Sequence, residues 1–427
     1  MSAKVLLQIR KGKDAGKRFD FTEHDTFVFG RMEDCHACIP DDIQVSRHHF
    51  ILEANPPQAC LRDLGSLNGT WVNGTKYGAR EKGETPEQGA KRRYTEVVLK
   101  NGDVIKVGQT ELEVSIEQPK EAAQHRVDAG LGDISLLAPE QLGRLIFGDQ
   151  PGKSGLKIPG CKIEAEIGRG GFGAVYRARR GADGSVVAVK VMLSRVDASD
   201  EAIEKFEREA AVTAKLQHPN IIRLFESGAT GAVFYFIMEY CDGGSAWDLM
   251  TKNGGRLSLE QARPLIHGAL GALAYAHGEG FVHRDMKPQN ILLSRGEVRL
   301  SDFGLTKCFQ QAGLSGLTIT GRYAGTPFFM PPEQIFNFKY LKPVSDVWSM
   351  GATIYNMLTG DFPFPFSKKR DPIDVILNDD VVPIRKRDPS LPAPFASAID
   401  VALAKKPKDR YPTAKDFLAA LRKTLTS

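Results

Sequence analysis

The hydrophobic pattern of this 427-residue chain changes character near residue 118, and that break constrains the fold more than any single motif. From Met1 to about Gln118 the apolar residues come in short or alternating runs, such as Val5 to Ile9, Phe27 to Phe29, Phe50 to Leu52, Val97 to Leu99, Val104 to Val107 and Leu112 to Ile116. Runs of strand length divided by Gly- and Asn-bearing turns read as an all-β sandwich. Between Pro119 and Gly160 the strand signal stops, and Gly, Pro, Asp and Ser recur around one apolar stretch from Leu142 to Phe147. This segment reads as a linker with one short helix. After Cys161, strand runs at Val186 to Met192 and Val233 to Met238 precede longer helical patterns at Leu259 to His277 and Val344 to Leu358. That order predicts a small β-rich lobe followed by a larger helical one. The expected organisation is multidomain: an all-β unit over 1–118, a linker over 119–160 and an α+β bilobal unit over 161–427.

The length supports more than one core, since domains run to about 100–200 residues. With 42% apolar and 26% charged residues the composition excludes a disordered or membrane-embedded chain. No stretch reaches the roughly 18 apolar residues of a membrane span, and Met1 to Asp20 is charged throughout, so a cytoplasmic address without a transmembrane segment is expected. Six scattered cysteines, Cys35, Cys38, Cys60, Cys161, Cys241 and Cys308, suit reduced thiols. Cys35 and Cys38 lie close, but no second ligand pair follows them, and the segment reads as a surface loop and not a zinc site. The formal net charge of +5 is spread along the chain, and the Lys91-Arg92-Arg93 run reads as a solvated loop, so no nucleic-acid partner is expected.

The second unit carries the chemistry. Gly168-Arg169-Gly170-Gly171-Phe172-Gly173 fits a loop whose missing side chains let backbone N–H groups close over phosphate oxygens. Val187-Ala188-Val189-Lys190 then places a lysine at the end of an apolar strand, where it needs an anionic partner. On a helix predicted from Asp200 to Leu216, Phe206, Glu209, Thr213 and Leu216 share one stripe, which makes Glu209 the natural partner. Further on, His283-Arg284-Asp285-Met286-Lys287-Pro288-Gln289-Asn290 precedes an apolar run, the turn Ser294-Arg295-Gly296-Glu297 and the strand Val298 to Leu300. Folding that hairpin brings Asn290 toward Asp302, and two oxygen ligands beside phosphates suit Mg²⁺.

These stretches, with Asp302-Phe303-Gly304 and Met330-Pro331-Pro332-Glu333, resemble the eukaryotic-type protein kinase family from Cys161 to the C-terminus. The resemblance implies ATP and Mg²⁺, with Mn²⁺ as an alternative metal. It implies Asp285 as the base that orients a substrate hydroxyl, Lys287 on the transferred phosphoryl group, Lys190 on the α/β-phosphates and Asn290 and Asp302 as metal ligands. Ile167, Gly168, Gly170, Gly173, Val175, Lys190 with Glu209, and the segment Met238-Glu239-Tyr240-Cys241 would form the nucleotide pocket, adenine bonding to backbone near Glu239 and Cys241. Lys287 and Gly325-Thr326 resemble serine/threonine kinases, and the implied substrates are protein hydroxyls. Asp346, His283 and the pair Glu333 and Arg410 resemble structural residues of the family. Pro331 stands where the family usually has alanine. Arg284 resembles the arginine that meets a phosphorylated activation loop, for which Thr318 and Thr320 are the candidate autophosphorylation sites.

In the first unit Gly30-Arg31, Ser46-Arg47-His48-His49 and Leu67-Asn68-Gly69-Thr70 fall on loops between strands, where guanidinium and hydroxyl donors suit a phosphate. With Leu99 to Asp103, they resemble the forkhead-associated (FHA) domain over roughly residues 5 to 117. The resemblance implies that Arg31, Ser46 and Arg47 hold phosphothreonine and Asn68 holds the peptide backbone. It implies phosphothreonine-containing partners, and the joining of a writer and a reader of phosphothreonine in one chain suggests its own activation loop, that of a second copy or a phosphorylated substrate as the ligand. His49 reads as a loop brace and Asn73-Gly74 as a hairpin turn. The alternative to an enzyme is a scaffold joining an FHA module to a pseudokinase, but Lys190, Asp285, Asn290 and Asp302 are all retained.

Overall fold

A computed structural model of the chain describes residues 3–22, 25–32, 35–79, 95–117, 158–170, 173–193, 200–230, 233–303, 327–336, 341–367, 370 and 372–425. The helix expected at Leu142 to Phe147, the Lys91-Arg92-Arg93 run, Cys308, Gly325 and the threonines 318, 320 and 326 lie outside the described residues.

The first unit contains β1 (Lys4–Lys11), β2 (Arg18–Phe21), β3 (Asp25–Gly30), β4 (Ala37–Cys38), β5 (Phe50–Asn55), β6 (Gln58–Asp63), β7 (Thr70–Val72), β8 (Thr75–Gly78), β9 (Val97–Val98), β10 (Val104–Val107) and β11 (Thr110–Glu117). They form two sheets, ordered β2-β1-β11-β10-β7-β8 and β4-β3-β5-β6-β9. Alternate residues of β1 (Val5, Leu7, Ile9) meet Phe29, Phe50, Leu52 and Leu61 of the other sheet in one core. This is the pattern a two-layer sandwich requires. Asn73 and Gly74 both take positive φ, 49° and 79°, as the two-residue turn between β7 and β8 demands. The segment expected as a plain surface loop around Cys35 and Cys38 differs. Cys35 is buried, its thiol directed at Arg47 O, and Cys38 ends the short strand β4, so both support the neighbouring loops.

The second unit opens with β12 (Cys161–Gly170), β13 (Gly173–Arg180), β14 (Val186–Leu193), β15 (Leu224–Thr230) and β16 (Val233–Glu239), ordered β12-β13-β14-β16-β15. Helix α1 (Asp200–Thr213) covers one face through Phe206 and Ala210, against Phe234, Phe236 and Met238. It ends before the expected Leu216, with Ala214 to Leu216 closing as a hydrogen-bonded turn.

The helical lobe follows with α2 (Ala246–Lys252), α3 (Leu259–Gly278), the hairpin β17 (Ile291–Ser294) and β18 (Glu297–Leu300), α4 (Pro332–Phe336), α5 (Pro343–Thr359), α6 (Pro372–Asn378), α7 (Ala393–Ala402) and α8 (Ala414–Leu425). Ser245 and Ser258 close capping boxes with Asp248 and Gln261 at the starts of α2 and α3. From Ser345 to Leu358, α5 is buried on all sides, and α3, α7 and α8 pack around it. No helix among the described residues is long and apolar enough to cross a membrane.

The two units share apolar contact. Val28 and Ile51 are register partners on the outer face of the second sheet of the sandwich, yet they are 0% and 2% exposed. With Cys35 and Leu64 they belong to the core of the helical lobe, where α4 packs on β3.

Candidate functional site

The nucleotide cleft is built by the hairpin β12–β13 and by β14. Gly168 pairs with Val175 and Gly170 with Gly173, and residues 171 and 172 at the tip lie outside the described residues. Around Gly168 there is open space where a Cβ would stand, so the fold itself does not demand glycine there. Strand alternation sends Val187, Val189 and Val191 to the outer core and leaves Lys190 on the other face, opposite Phe236. Lys190 is buried and donates to Asp302 Oδ1 at 2.8 Å, a link between residues 112 positions apart. Burial alone would raise the Asp302 carboxyl. The charge and hydrogen bond of Lys190, joined by the charge of Lys287, together outweigh it and hold the group below the usual carboxylate range. Glu209 stands half-buried on α1, one residue before Ala210. Met238 is buried and borders a cavity of ≈ 20 Å³ behind the cleft, lined also by Leu224, Asp302 and Phe303. Next to it, Glu239 is held by Arg299 at 3.1 Å, and burial pushes the Cys241 thiol up to about 12, which keeps it protonated.

The catalytic-loop candidates converge below. Lys287 Nζ donates to Asp285 Oδ2 at 2.7 Å, and Asn290 Nδ2 donates to Asp285 O at 2.7 Å and to its Oδ2 at 3.3 Å. The β17–β18 hairpin sets Ile291 opposite Leu300, and Ser301 N donates to Asn290 O at 2.9 Å, so Asn290 and Asp302 approach from the hairpin's two open ends. No group of three or more His, Cys, Asp or Glu able to cage a metal occurs among the described residues. A divalent cation here would divide its oxygens between Asp302, Asn290 and a phosphate chain, which is how Mg²⁺ binds. The donor set fits that demand.

The support is a buried network. Asp346 of α5 accepts from the backbone N–H groups of His283 at 2.7 Å and Arg284 at 2.9 Å, and from His277 Nε2 at 2.8 Å. Burial would raise the Asp346 carboxyl, but the His277 hydrogen bond leads the effects that lower it below its ordinary value. His283, 0% exposed, accepts from Asp285 N through Nδ1 and donates through Nε2 to Ser301 O at 2.8 Å. Arg284 and Asp302 take φ of 71° and 64°, a left-handed conformation that costs non-glycine residues energy and marks sites where the surroundings dictate geometry. Gln334 of α4 donates to Arg284 O at 3.1 Å, and Glu333 forms a two-pronged pair with Arg410 at 2.7 and 2.8 Å.

The second cluster lies on the loops of the sandwich. A Cβ at Gly30 would stand 2.1 Å from Arg47 O, so only glycine lets the chain preceding Arg31 approach the Ser46-Arg47 loop. Arg31 N then donates to Ser46 O and Arg47 O, both at 3.0 Å, and the exposed side chains of Arg31 and Arg47 border the same cleft. Ser46 Oγ accepts from Leu67 N at 2.9 Å, and Asn68 Nδ2 donates to Gln44 O at 2.7 Å, which draws the third motif onto the second. His49, wholly buried, braces them from below: Nδ1 accepts from Ser46 N at 2.9 Å and Nε2 donates to Gly69 O at 3.2 Å. Burial chiefly lowers its pKa, so the ring is neutral.

Two organisers escaped the sequence reading. Asp63 accepts from Gly65 N and Ser66 N, each at 2.8 Å, and from Ser66 Oγ and Thr70 Oγ1, each at 2.6 Å. Asp42 accepts from Gln109 N and Thr110 Oγ1, each at 2.8 Å. The signal for Asp63 was local: an aspartate ahead of Leu64-Gly65-Ser66 is the start of an Asx-type turn.

Comparison with known proteins assigns both units to families. The protein kinase domain model matches residues 161–421, more than half of the chain, and the FHA domain model matches residues 27–108. The chain therefore belongs to the protein kinase family and carries an N-terminal FHA domain. It is 35% identical over 217 residues to CBL-interacting serine/threonine-protein kinase 19 of Arabidopsis thaliana, covering 51% of this chain and 44% of that protein. It is 32% identical over 267 residues to a protein named probable serine/threonine-protein kinase in Clostridium acetobutylicum, covering 61% of this chain and 39% of that one. The chain thus spans less than half the length of these relatives. Among solved structures, the Mycobacterium tuberculosis PknI kinase domain superposes with a TM-score of 0.52 at 22% identity, over 64% of this chain and 98% of that one, which is a likeness of fold.

Proposed function

We propose that the chain is an ATP-dependent serine/threonine protein kinase with a phosphothreonine reader attached. The observation that carries the reading is the convergence of Lys190 on Asp302 and of Lys287 and Asn290 on Asp285 within one cleft. Bound ATP with Mg²⁺, or Mn²⁺, supplies the electrophilic phosphoryl group. Asn290 and Asp302 hold the metal, and Lys190 contacts the α/β-phosphates beneath Ile167, Gly168, Gly170, Gly173 and Val175. Adenine lies against Met238, with the backbone of Glu239 and Cys241 as its hydrogen-bonding edge. Asp285 orients the incoming Ser or Thr hydroxyl and takes its proton, while Lys287 offsets negative charge as it builds on the transferred group. Phosphoryl transfer asks for alignment and charge neutralisation above all, and the strained backbone at Arg284 and Asp302 is consistent with that demand.

Arg31, Ser46 and Arg47 bind phosphothreonine, and Asn68 holds the peptide backbone near it. Thr318 and Thr320 are the proposed autophosphorylation sites, with Arg284 as their charge partner. The test is phosphoamino-acid analysis and mass spectrometry after incubation with ATP, Mg²⁺ and a generic protein substrate. Phosphoserine or phosphothreonine should appear on substrate and enzyme. A product confined to phosphotyrosine, or none, would contradict the proposal.

A further inference from the structure

The loops of the sandwich face a cleft that is open to solvent on one side and walled on the other. Arg31, Ser46 and Arg47 line one wall of a cleft of ≈ 380 Å³ whose other wall is Arg370, just ahead of α6 in the kinase's helical lobe, with Leu377, Asn378 and Asp379 at that helix's end. That volume matches a small-ligand site, enough for a phosphorylated side chain and its flanking residues. Ile43 and Leu67, on the FHA wall, are 84% and 57% exposed, an arrangement with no folding benefit that leaves apolar surface for a peptide. Across the cleft Arg370 Nη2 meets Asp379 Oδ1 at 2.8 Å, so this carboxylate is matched by a guanidinium and a phosphate entering there meets no net repulsion from the pair.

What holds the two walls in register is the apolar seat described above. Val28 and Ile51 would be solvent-facing in a separate sandwich, and their burial against the helical lobe accounts for this apolar pair on the outer face of β3 and β5. The seat is on α4, whose Gln334 reaches the carbonyl of Arg284 beside Asp285.

We infer that the phosphothreonine site of the intact chain is a two-domain cleft, in which α6 of the kinase lobe supplies a second wall to the FHA loops and contributes to peptide binding. This inference rests on the reader function proposed above. Asn378 is exposed on the kinase wall and outside the catalytic machinery, which makes it the place to test.

The experiment uses the intact chain and a fluorescent mixture of phosphothreonine nonapeptides with degenerate flanks, at about 0.15 M salt, where charges farther than ~8 Å apart are largely screened. Asn378→Lys should tighten binding by roughly fivefold and Asn378→Glu should weaken it by a similar factor, as expected for one charge added near a phosphate. Both are surface changes and leave the fold intact. Binding by the wild type with both variants unchanged within twofold would overturn the two-domain cleft while sparing the reader. No binding of any phosphopeptide by the wild type, with a folded FHA unit, would remove the reader and the cleft together.

Discussion

The two places proposed to handle phosphate are built on opposite plans. In the kinase cleft the functional groups are themselves the structure: Lys190 and Asp302 pair directly, Asp285 is gripped by Lys287 and Asn290, and two residues sit at positive φ. On the FHA loops the proposed phosphate donors, Arg31 and Arg47, stand exposed, and the structural effort lies one layer below in neutral His49 and in Asp63. A site that must position a reacting group is held rigid by its own charges, at a cost in buried electrostatics. A site that only binds can keep its charged ends hydrated until the ligand arrives, so its function and its stability are separable.

That contrast is breakable, and the largest effect should come from the support of the kinase lobe. Arg410 has a fully buried side chain against Glu333, and Arg410→Met should destabilise the fold by about 3–5 kcal/mol, because a partly buried carboxylate loses its charge partner and keeps the Ser345 hydroxyl as a neutral donor. A thermal or denaturant midpoint near wild type would show the pair to be dispensable. Next, Asp302→Asn should cut phosphoryl transfer by about 10²–10³-fold, since it removes a proposed metal ligand and the partner of Lys190. Unchanged steady-state transfer would remove Asp302 from the site.

At the other site the two kinds of effect should come apart. Arg31→Ala should weaken phosphothreonine-peptide binding by about 1.5–3 kcal/mol, the scale of charge-assisted hydrogen bonds, with no shift in melting temperature. A variant that binds normally, or that melts much earlier, would break the comparison. The smallest effect is set by pH. His49 has a lowered pKa in the folded state and an ordinary value near 6.5 when unfolded, so as pH falls below about 6.5 the unfolded chain takes up protons that the folded one refuses. Stability is therefore full above that pH and declines below it. Thermal melts at pH 7.5 and 5.5 should show a loss for wild type that His49→Gln reduces, and an equal loss in both would assign the acid sensitivity elsewhere.

How much of this was legible in the sequence follows the same division. The kinase residues declare themselves because their chemistry forces residue types at fixed local spacings, as between Asp285, Lys287 and Asn290. The strand runs and the helices α3 and α5 follow from periodicity. The bracing role of Asp42 escaped notice because, beyond its local bond from Gln44 N, it accepts from Gln109 and Thr110, 67 and 68 positions away, which meet it only through sheet topology. The direct Lys190–Asp302 link has the same origin: no local spacing points to it, because the approach of Asp302 depends on how the two lobes close. The seating of one unit on the other left a trace in Phe27-Val28-Phe29 and Phe50-Ile51-Leu52, which do not alternate as half-exposed strands should, but no pattern in the chain names the surface that covers Val28 and Ile51.

The most direct test of the central claim is phosphate transfer from labelled ATP with Mg²⁺, to itself and to a generic protein substrate, comparing the intact chain with Asp285→Asn. The account predicts transfer by the wild type and a fall of at least about 10²-fold in the variant, the scale of a lost general base. Transfer no greater than the variant's, from a folded protein that binds ATP, would contradict it and leave a nucleotide-binding scaffold in place of an enzyme.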